Sequence, residues 1–376
     1  MNNFTTGTLT RMRYKRMPIE VESPEEFGYG KIRFNLSESS IADQSLKSLG
    51  LTIPDPTLLY GEHRGSERLR NMIVDGTELT ANDVLITGGA AGALFIISTA
   101  LLSSDDHLIV VRPNYGTNLE TPRAIGCSIS FVDLPFERGF EIDFEELSAA
   151  VTPQTRIISV TCPHNPTGVM FSEAKLQRLA ELAARRDCLL MVDETYRDLS
   201  LSGSLPLAAT LGKHVVSVSS LSKAYGVPGI RVGWIINSDP SLQELFLAAK
   251  EQISICGSVV NEWIGEQILA QRETFLERTL PEWRSRLAHV ADWIDQEPLL
   301  EWVRPSGGVV CFPRMRRAPA GGTDAFYRRL VEKYGTYVGP GHWFEMPDTH
   351  FRIGYGWSGR QELESGLLAI SKALRD

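Results

Sequence analysis

The sequence predicts an α/β fold, with a large domain built on a mainly parallel, seven-stranded sheet and a smaller α+β domain after it. The first observation is that short apolar, β-branched stretches alternate with helical patterns between residues 84 and 237. Such alternation is typical of a parallel sheet that helices cover on both faces. The second observation is that the pattern turns helical from residue 242 onward and breaks at Pro298 and Pro305.

The predicted elements follow one another in a regular order. The strands of the sheet are predicted at residues 84–87, 107–111, 128–132, 156–161, 189–192, 215–219 and 232–236. Helices are predicted at 91–102 and 175–187, and further strands near 309–312 and 350–353. The first forty residues show no regular pattern and are expected to join the smaller domain or to lie across the site. We expect an N-terminal segment at 1–44, a large domain at 45–265 and a small domain at 266–376.

Composition excludes several classes of protein. Of 376 residues, 43% are apolar and 22% are charged, a balance that excludes disorder, collagen and a coiled coil as the main state. The net charge of -8 provides no basic field for a nucleic-acid partner. The longest apolar stretch, residues 93–102, is shorter than the roughly 20 residues that a membrane-spanning helix needs, so no membrane partner is expected.

The cysteines and the N-terminus bear on the compartment. Five cysteines lie far apart without CxxC spacing, so neither a metal site nor a disulfide framework is predicted. Their odd number fits a reducing cytoplasm, which is the expected location. No apolar run follows the basic residues Arg11, Arg13, Lys15 and Arg16, so a signal peptide is not expected.

Polar and small residues follow the predicted strands, and ligands of parallel sheets bind at the carboxyl ends of strands. The first strand is followed by Ala90 and Ala91 in a turn rich in glycine. Free backbone N–H groups at the start of a helix suit a phosphate, although a plain tight turn has the same pattern. The second strand is followed by Tyr115 in a rigid loop, where the aromatic ring would stack on a flat cofactor or simply pack.

Two further strands end near polar residues of defined geometry. Asn165 follows the fourth strand in a loop with two prolines and a glycine, which either aims the amide at the site or forms a structural Asx turn. Asp193 ends the fifth strand, with Tyr196 close behind. A buried carboxylate needs a partner, which a pyridinium nitrogen would provide, although aspartate also caps helices.

The sixth strand is followed by Ser220, Ser222 and Lys223, with Arg231 eight residues later. A lysine in this place forms a Schiff base with an aldehyde cofactor, unless it is a mere surface charge. The hydroxyls and the guanidinium suit a phosphate dianion. Together, the residues after the strands offer a partner to each group of pyridoxal 5′-phosphate: ring, ring nitrogen, phenolate oxygen, phosphate and aldehyde.

These residues belong to motifs that occur in a definite order. The motifs are Tyr60-Gly61-Glu62-His63-Arg64-Gly65, Pro113-Asn114-Tyr115, Asn165-Pro166-Thr167-Gly168, Asp193-Glu194-Thr195-Tyr196, Ser220-Leu221-Ser222-Lys223 with Arg231, and Phe351-Arg352-Ile353-Gly354. In type and order they resemble the class I/II aminotransferases, the fold-type-I pyridoxal-phosphate enzymes. The resemblance covers almost the whole chain.

The resemblance implies a role for each motif. Lys223 would form the Schiff base and move protons, Asp193 would pair with the pyridine nitrogen, and Tyr115 would stack on the ring. Asn165 and Tyr196 would hold the phenolate oxygen. The phosphate would be bound by the amides of Ala90 and Ala91 and by the side chains of Ser220, Ser222 and Arg231.

The resemblance also implies the substrates and the assembly. Arg352 would bind the α-carboxylate of an L-amino acid, with Asn165 beside it, and the amino group would pass to a 2-oxo acid. Tyr60 would reach the phosphate of the neighbouring subunit, which implies a homodimer.

Two features depart from the usual aminotransferase pattern. Ala90 and Ala91 stand where a hydroxyl residue often occurs, so backbone amides would carry more of the phosphate binding. Ser37 and Glu38 stand where glycine is usual, beside the expected substrate pocket. A carboxylate there would hold a cationic, arginine-like side chain, or it is an exposed loop residue.

These departures, with the motifs around Asn165 and Lys223, also resemble capreomycidine synthase and related enzymes, which eliminate and close a ring on hydroxylated arginines. Transamination is the first expectation, elimination with cyclisation the alternative, and a Cβ–S lyase or decarboxylase a further one. A transcription regulator of this fold would need an added DNA-binding head, for which the chain is expected to have no room, and a non-catalytic relative would tend to lose Lys223.

Overall fold

The computed structural model describes residues 12–376, so Arg11 and the rest of the first eleven residues of the predicted N-terminal segment lie outside the described residues. The strands are β1 Phe34–Asn35, β2 Val84–Thr87, β3 His107–Arg112, β4 Ser128–Asp133, β5 Thr155–Thr161, β6 Leu189–Asp193, β7 Val215–Ser220, β8 Gly233–Ile236, β9 Leu300–Glu301, β10 Val310–Cys311, β11 Arg314–Met315, β12 Thr336–Tyr337, β13 Gly339–Pro340 and β14 Phe351–Gly354.

Helices of very different length connect these strands. They are α1 Pro18–Val21, α2 Pro24–Phe27, α3 Glu67–Ile73, α4 Gly89–Leu101, α5 Thr117–Ile125, α6 Phe144–Ala150, α7 Glu173–Arg185, α8 Pro240–Glu251, α9 Val259–Ala270, α10 Arg272–Gln296, α11 Gly322–Glu332 and α12 Arg360–Arg375. Both helices that the sequence predicts inside the sheet region, at 91–102 and 175–187, are present as α4 and α7, each shifted by about two residues toward the N-terminus.

The central sheet has seven strands in the order β2-β8-β7-β6-β5-β3-β4. All neighbouring strands are parallel except β8, which runs antiparallel to both β2 and β7. The mainly parallel α/β fold predicted from the sequence is therefore confirmed. Because the parallel strands point the same way, their carboxyl ends meet at one edge of the sheet.

Alternation of apolar residues explains why the sheet is covered on both faces. Along β3, Ile109 and Val111 pack on one face with helix α7, whereas Leu108 and Val110 pack on the other with helices α4 and α8. All four side chains are at most 1% exposed. A strand buried on both faces reads as a continuous apolar run, which is the signal that the sequence carries.

The C-terminal part of the chain forms small sheets and packs helices α10, α11 and α12 around them. Strand β14 pairs antiparallel with β10 and β13 and carries Arg352. Strand β1 from the N-terminal region pairs in parallel with β12, and Leu36, just after it, is fully buried in the core. The residue bounds of the three predicted segments stay a prediction.

Two further observations concern membrane-spanning helices and cysteines. None of the helices in residues 12–376 is both long and apolar enough to cross a membrane. All five cysteines are free, and only Cys256 is partly exposed.

Candidate active site

A cavity of about 220 Å³ lies at the carboxyl ends of the strands of the central sheet. Thirteen of the fourteen site residues predicted from the sequence line it, and Tyr60 is the exception. Its floor is formed by residues at or after the ends of β5, β6 and β7. Residues before and after β1 form the opposite wall, and Arg352 of β14 closes one side.

Lys223 follows β7, and its amine reaches into the cavity. The Nζ atom donates a hydrogen bond to Ser39 Oγ at 3.0 Å. Burial lowers the pKa of Lys223, and the positive charge of Arg352 lowers it further, while Glu38 acts in the opposite direction. A lysine whose ammonium form is destabilised in this way is a better nucleophile near neutral pH.

Asp193 is the last residue of β6 and is only 8% exposed. Its Oδ1 atom accepts hydrogen bonds from the backbone N–H and the hydroxyl of Thr195, at 3.0 and 2.5 Å. No group in residues 12–376 donates to Oδ2. Burial raises the pKa of Asp193, so its ionised form needs a cationic or proton-donating partner, which a protonated ring nitrogen would be.

Asn165 and Tyr196 both lie in the cavity wall near Lys223. The hydroxyl of Tyr196 donates to the backbone oxygen of Ser39 at 2.8 Å, and burial raises its pKa to about 12. The Oδ1 atom of Asn165 accepts from Arg352 at 3.0 Å, whereas its Nδ2 amide has no partner within the described chain. Asn165 therefore presents a free donor while it fixes the arginine.

The turn after β2 forms a cradle at one end of the cavity. Ala90 and Ala91 lie in the first turn of α4, where backbone N–H groups have no partner inside the helix. Gly89 has φ of +78°, and a Cβ there would lie 2.7 Å from the guanidinium of Arg231. A Cβ on Gly233 would meet the backbone of Gly89 at 2.5 Å. Only glycine at these two positions leaves room for Arg231 beside the free amides.

Ser220 and Ser222 complete the same end of the cavity. Both are buried, and the backbone N–H of Ser222 donates to Ser220 Oγ at 3.4 Å. The guanidinium of Arg231 donates to the backbone oxygens of Pro228 and Gly88, at 3.1 and 3.3 Å. Amides at a helix start, two hydroxyls and an arginine are the groups that bind phosphate.

Arg352 is a buried cation that lines the same cavity. It is 3% exposed, donates to Asn165 Oδ1 and to the backbone oxygen of Ser37 at 2.6 Å, and lies over the ring of Phe344. Its Nε atom has no partner, and no carboxylate of residues 12–376 lies within 4.0 Å of the guanidinium. A buried guanidinium without an anion is suited to bind a carboxylate from a ligand.

Glu38 also lines the cavity. Its Oε1 atom accepts from Asn35 Nδ2 at 3.2 Å and from the hydroxyl of Tyr29 at 3.4 Å. Burial raises the pKa of Glu38, Glu25 raises it further, and Lys223 and Arg352 counteract both. Ser37 contributes through its backbone oxygen, because its hydroxyl is bound to Asn35 Oδ1 at 2.7 Å.

Several cavity residues were missed by sequence reasoning. Ser39 holds both Lys223 and Tyr196, and Thr195 fixes Asp193. Thr195 had a local signal, because a hydroxyl two residues after an aspartate often closes a turn on it. Glu20 accepts from the hydroxyl of Tyr115 at 3.2 Å, a contact between residues 95 positions apart for which the sequence gives no signal.

Tyr60 lies outside the cavity and is 78% exposed. Its neighbours Leu58 and Leu59 are also exposed, at 78% and 60%. Large apolar side chains exposed side by side are typical of a surface that contacts another protein.

The donor set fits pyridoxal 5′-phosphate. The cradle offers phosphate-binding groups, Asp193 has a free carboxylate oxygen, and Lys223 is an amine with a lowered pKa in the same cavity. The two glycines whose Cβ atoms would fill the cradle support the same assignment.

Comparisons with known proteins agree with this geometry. The family model of aminotransferase class I and II matches residues 34–368. Capreomycidine synthase of Streptomyces vinaceus is 31% identical over 84% of this chain and 80% of its own length. Arginine–pyruvate transaminase of Pseudomonas aeruginosa is 31% identical over 78% of this chain and 77% of its own. The crystal structure of a PLP-dependent aminotransferase from Streptococcus suis matches with a TM-score of 0.88 and 26% identity, over 96% and 98% of the two chains.

Proposed function

The chain belongs to the class I and II aminotransferases and uses pyridoxal 5′-phosphate, and on this premise we propose that it transfers the amino group of a cationic, arginine-like L-amino acid to a 2-oxo acid. The observation that carries the substrate class is Glu38. Its carboxylate shares one cavity with the amine of Lys223 and the guanidinium of Arg352. Of the two relatives described above, one is an arginine–pyruvate transaminase by name.

The groups that line the cavity support this substrate, because each part of an amino acid can be matched to one of them. The α-carboxylate of an amino acid is matched by Arg352, which lacks an anionic partner in the described chain, and the α-amine must come next to Lys223. We propose that the side chain then extends toward the wall that carries the carboxylates of Glu20, Glu25 and Glu38, which all line the cavity. Three carboxylates disfavour an anionic side chain and favour a cation.

The cofactor, when bound, withdraws electrons from Cα of the substrate. We assign removal of the Cα proton to Lys223, whose amine is held at the cavity by Ser39 and whose pKa is lowered by burial. A positioned acid–base group of this kind contributes about 10²- to 10⁴-fold to the rate. Asp193 holds a proton donor at its free oxygen, and Thr195 keeps its carboxylate in place.

Arg352 and Asn165 orient the substrate. The guanidinium has a planar fork that matches a carboxylate in two hydrogen bonds. Asn165 and the backbone oxygen of Ser37 hold that fork, and Phe344 supports its face. Orientation at one end fixes which substituent of Cα meets Lys223 and which meets Glu38.

The test compares L-arginine with L-citrulline, which has nearly the same shape without the charge. In Glu38→Gln, we expect kcat/KM for arginine to fall about tenfold, because a charge-assisted contact is lost, while citrulline changes little. Coupled assays of keto-acid formation measure both. Glu26→Gln is the matched control. Glu26 follows the cavity residue Glu25 in the chain, but it does not line the cavity and pairs with Arg16. Equal losses for both substrates would show that Glu38 does not bind the cationic side chain.

Elimination with ring closure of a hydroxylated arginine is the second candidate. It is favoured by the 31% identity to capreomycidine synthase over 84% of the chain. The same wall would hold the guanidinium, and the outcome at Cα would differ. Mass spectrometry separates the two: transamination needs an oxo-acid acceptor and gives a keto acid, whereas cyclisation loses water and needs no acceptor.

We also propose that the protein is a homodimer in which Tyr60 reaches the phosphate of the other subunit. The exposure of Tyr60, Leu58 and Leu59 outside the cavity supports this assembly. A cytoplasmic location stays a prediction from the cysteine pattern.

A further inference from the structure

One wall of the cavity consists of a short segment near the N-terminus, residues 17–27, which we call the strap. It contains α1 and α2, each of four residues, and contributes Ile19, Glu20, Ser23, Pro24 and Glu25 to the cavity. Helices of one turn have no stability of their own in water. The position of this wall must therefore come from contacts between the strap and the rest of the molecule.

Glu22, directly after α1, makes three hydrogen bonds to the C-terminal part of the chain. It does not line the cavity. Its Oε2 atom accepts hydrogen bonds from Trp343 Nε1 at 2.6 Å and from His342 Nε2 at 2.8 Å. The hydroxyl of Tyr337 donates to its backbone oxygen at 2.5 Å. One residue of the strap is thus bound by three side chains of the C-terminal lobe.

We call the contacts of Glu22 with His342 and Trp343 the clamp. A second carboxylate, Asp348, binds the other side of His342. His342 Nδ1 lies 2.9 Å from Asp348 Oδ1, and Asp348 also accepts from the backbone N–H of His342 at 2.8 Å. A histidine between two carboxylates is charged and donates from both ring nitrogens. The bond to Glu22 is therefore charge-assisted, the stronger class of hydrogen bond.

The clamp is directly connected to the cavity. Trp343, which donates to Glu22, is 3% exposed and lines the cavity. Glu20, two residues before Glu22, also lines it and accepts from Tyr115. Helix α1 is therefore fixed to the lobe by Glu22 and faces the cavity with Glu20.

The strap has further contacts. Ile19 is buried, and Met17 packs beside it, in the core cluster that also contains residues of β3 and α7. Phe27 stacks on Tyr337 with ring centroids 5.6 Å apart. Arg16 and Glu26 form an exposed ion pair with each other, which does not tie the strap to anything else. Exposed pairs of this kind contribute little.

We propose that Glu22 is a positioning residue for the substrate wall: by clamping the strap to His342 and Trp343 it sets the place of Glu20 and Glu25, and so the affinity for substrate, without touching the substrate itself. This role rests on the proposed function, which identifies the wall with Glu20 and Glu25 as the substrate wall. The clamp makes no hydrogen bond to Lys223 or Asp193, and it reaches them only through the charge of Glu20, which raises the pKa of Lys223. Its loss should therefore affect substrate binding more than the rate of the bound complex.

The kinetic experiment uses Glu22→Gln and His342→Gln in the cofactor-loaded enzyme. Each variant keeps hydrogen-bonding groups but removes the charge pair. We expect KM for L-arginine to rise about fivefold in either variant, with kcat within about twofold of wild type. Because both changes break the same contact, the double variant should be no worse than either single one. Glu26→Gln is the control and should behave as wild type.

A second measurement does not depend on catalysis. Hydrogen–deuterium exchange of residues 17–27 should be faster in Glu22→Gln and His342→Gln than in wild type and Glu26→Gln, while peptides of the central sheet stay unchanged. If Glu22→Gln does not fold, His342→Gln decides the question, because His342 does not line the cavity.

The outcomes separate the two proposals. A wild-type enzyme without activity on cationic amino acids removes the proposed substrate, and the exchange experiment still decides the clamp. Unchanged exchange in the strap, or a loss confined to kcat, overturns the clamp even if arginine is the substrate.

Discussion

The cofactor end of the cavity is carried by the ends of buried strands, whereas the opposite wall is carried by two one-turn helices near the N-terminus. Asp193 and Ser220 are the last residues of β6 and β7, in a sheet whose strands are covered on both faces. Glu20 and Glu25 are exposed residues on these helices, and we propose that Glu22 sets their position. The residues assigned to the cofactor thus lie at the ends of buried strands, whereas the wall that we propose to recognise the substrate side chain lies on a segment of two one-turn helices.

The largest effect is expected at the cofactor end of the cavity. Lys223→Ala should lower activity by at least about 10²- to 10⁴-fold, because no other amine lines the cavity in residues 12–376 to take its place. Borohydride reduction followed by peptide mass spectrometry should find the cofactor attached at residue 223 in wild type and at no lysine in the variant.

The matched control is Lys213→Ala, which changes an exposed lysine near the start of β7. It should keep both the adduct and the activity. An adduct on another lysine in Lys223→Ala would refute the assignment of the Schiff base to Lys223. It would also contradict the view that residues at the strand ends alone perform the reaction.

An intermediate effect is expected at Tyr60, which we propose completes the cofactor site of the other subunit. If Tyr60 donates to the phosphate of the other subunit, Tyr60→Phe should weaken cofactor binding about tenfold, because a hydrogen bond to a charged group is lost. Equilibrium dialysis measures this, and sedimentation velocity should give a dimer for both proteins. Tyr334→Phe, which removes an exposed hydroxyl bound to Asp376, is the control. A monomer with full cofactor affinity would contradict the shared site.

The smallest effect is expected at the clamp and depends on pH. Hydrogen bonds to Asp348 and Glu22 raise the pKa of His342 from 6.5 to about 10. A raised pKa means that the stabilisation is complete below about pH 6.5 and is lost as the pH rises through 10. His342 is 41% exposed, so after allowance for screening by solvent we expect about 1 kcal/mol.

Urea unfolding at pH 6.5 and pH 10 measures this contribution. Wild type should lose about 1 kcal/mol more than His342→Gln between the two pH values. At the acid side, the hydrogen bond from His342 lowers the pKa of Glu22, so this end of the clamp weakens only well below neutral pH. Equal losses in both proteins would show that the clamp is not ionic.

The same contrast explains what the sequence could predict. The seven strands and the residues after them follow from local patterns, since apolar runs, turn residues and strand-end side chains are close together in sequence. Asp193, Lys223 and Asn165 were found in this way, and all three line the cavity.

The strap was not predictable by these means. Glu22 and His342 are 320 positions apart, and neither stands next to a pattern that marks a strand or a long helix. Their meeting depends on tertiary packing, which a single sequence does not encode locally. Glu38 lies between these cases: the sequence singled it out because it departs from a familiar motif, and left open whether it was exposed.

The pairing of β1 with β12 has a consequence for biosynthesis. Phe34 pairs with Thr336, and Leu36 packs against Gly366, so β1 finds its partners only after the ribosome has made these much later residues. Contacts between such distant residues form late and slowly. We therefore expect the strand that leads to Glu38 to pair only after the central sheet has assembled, so that the wall with Glu38 forms late.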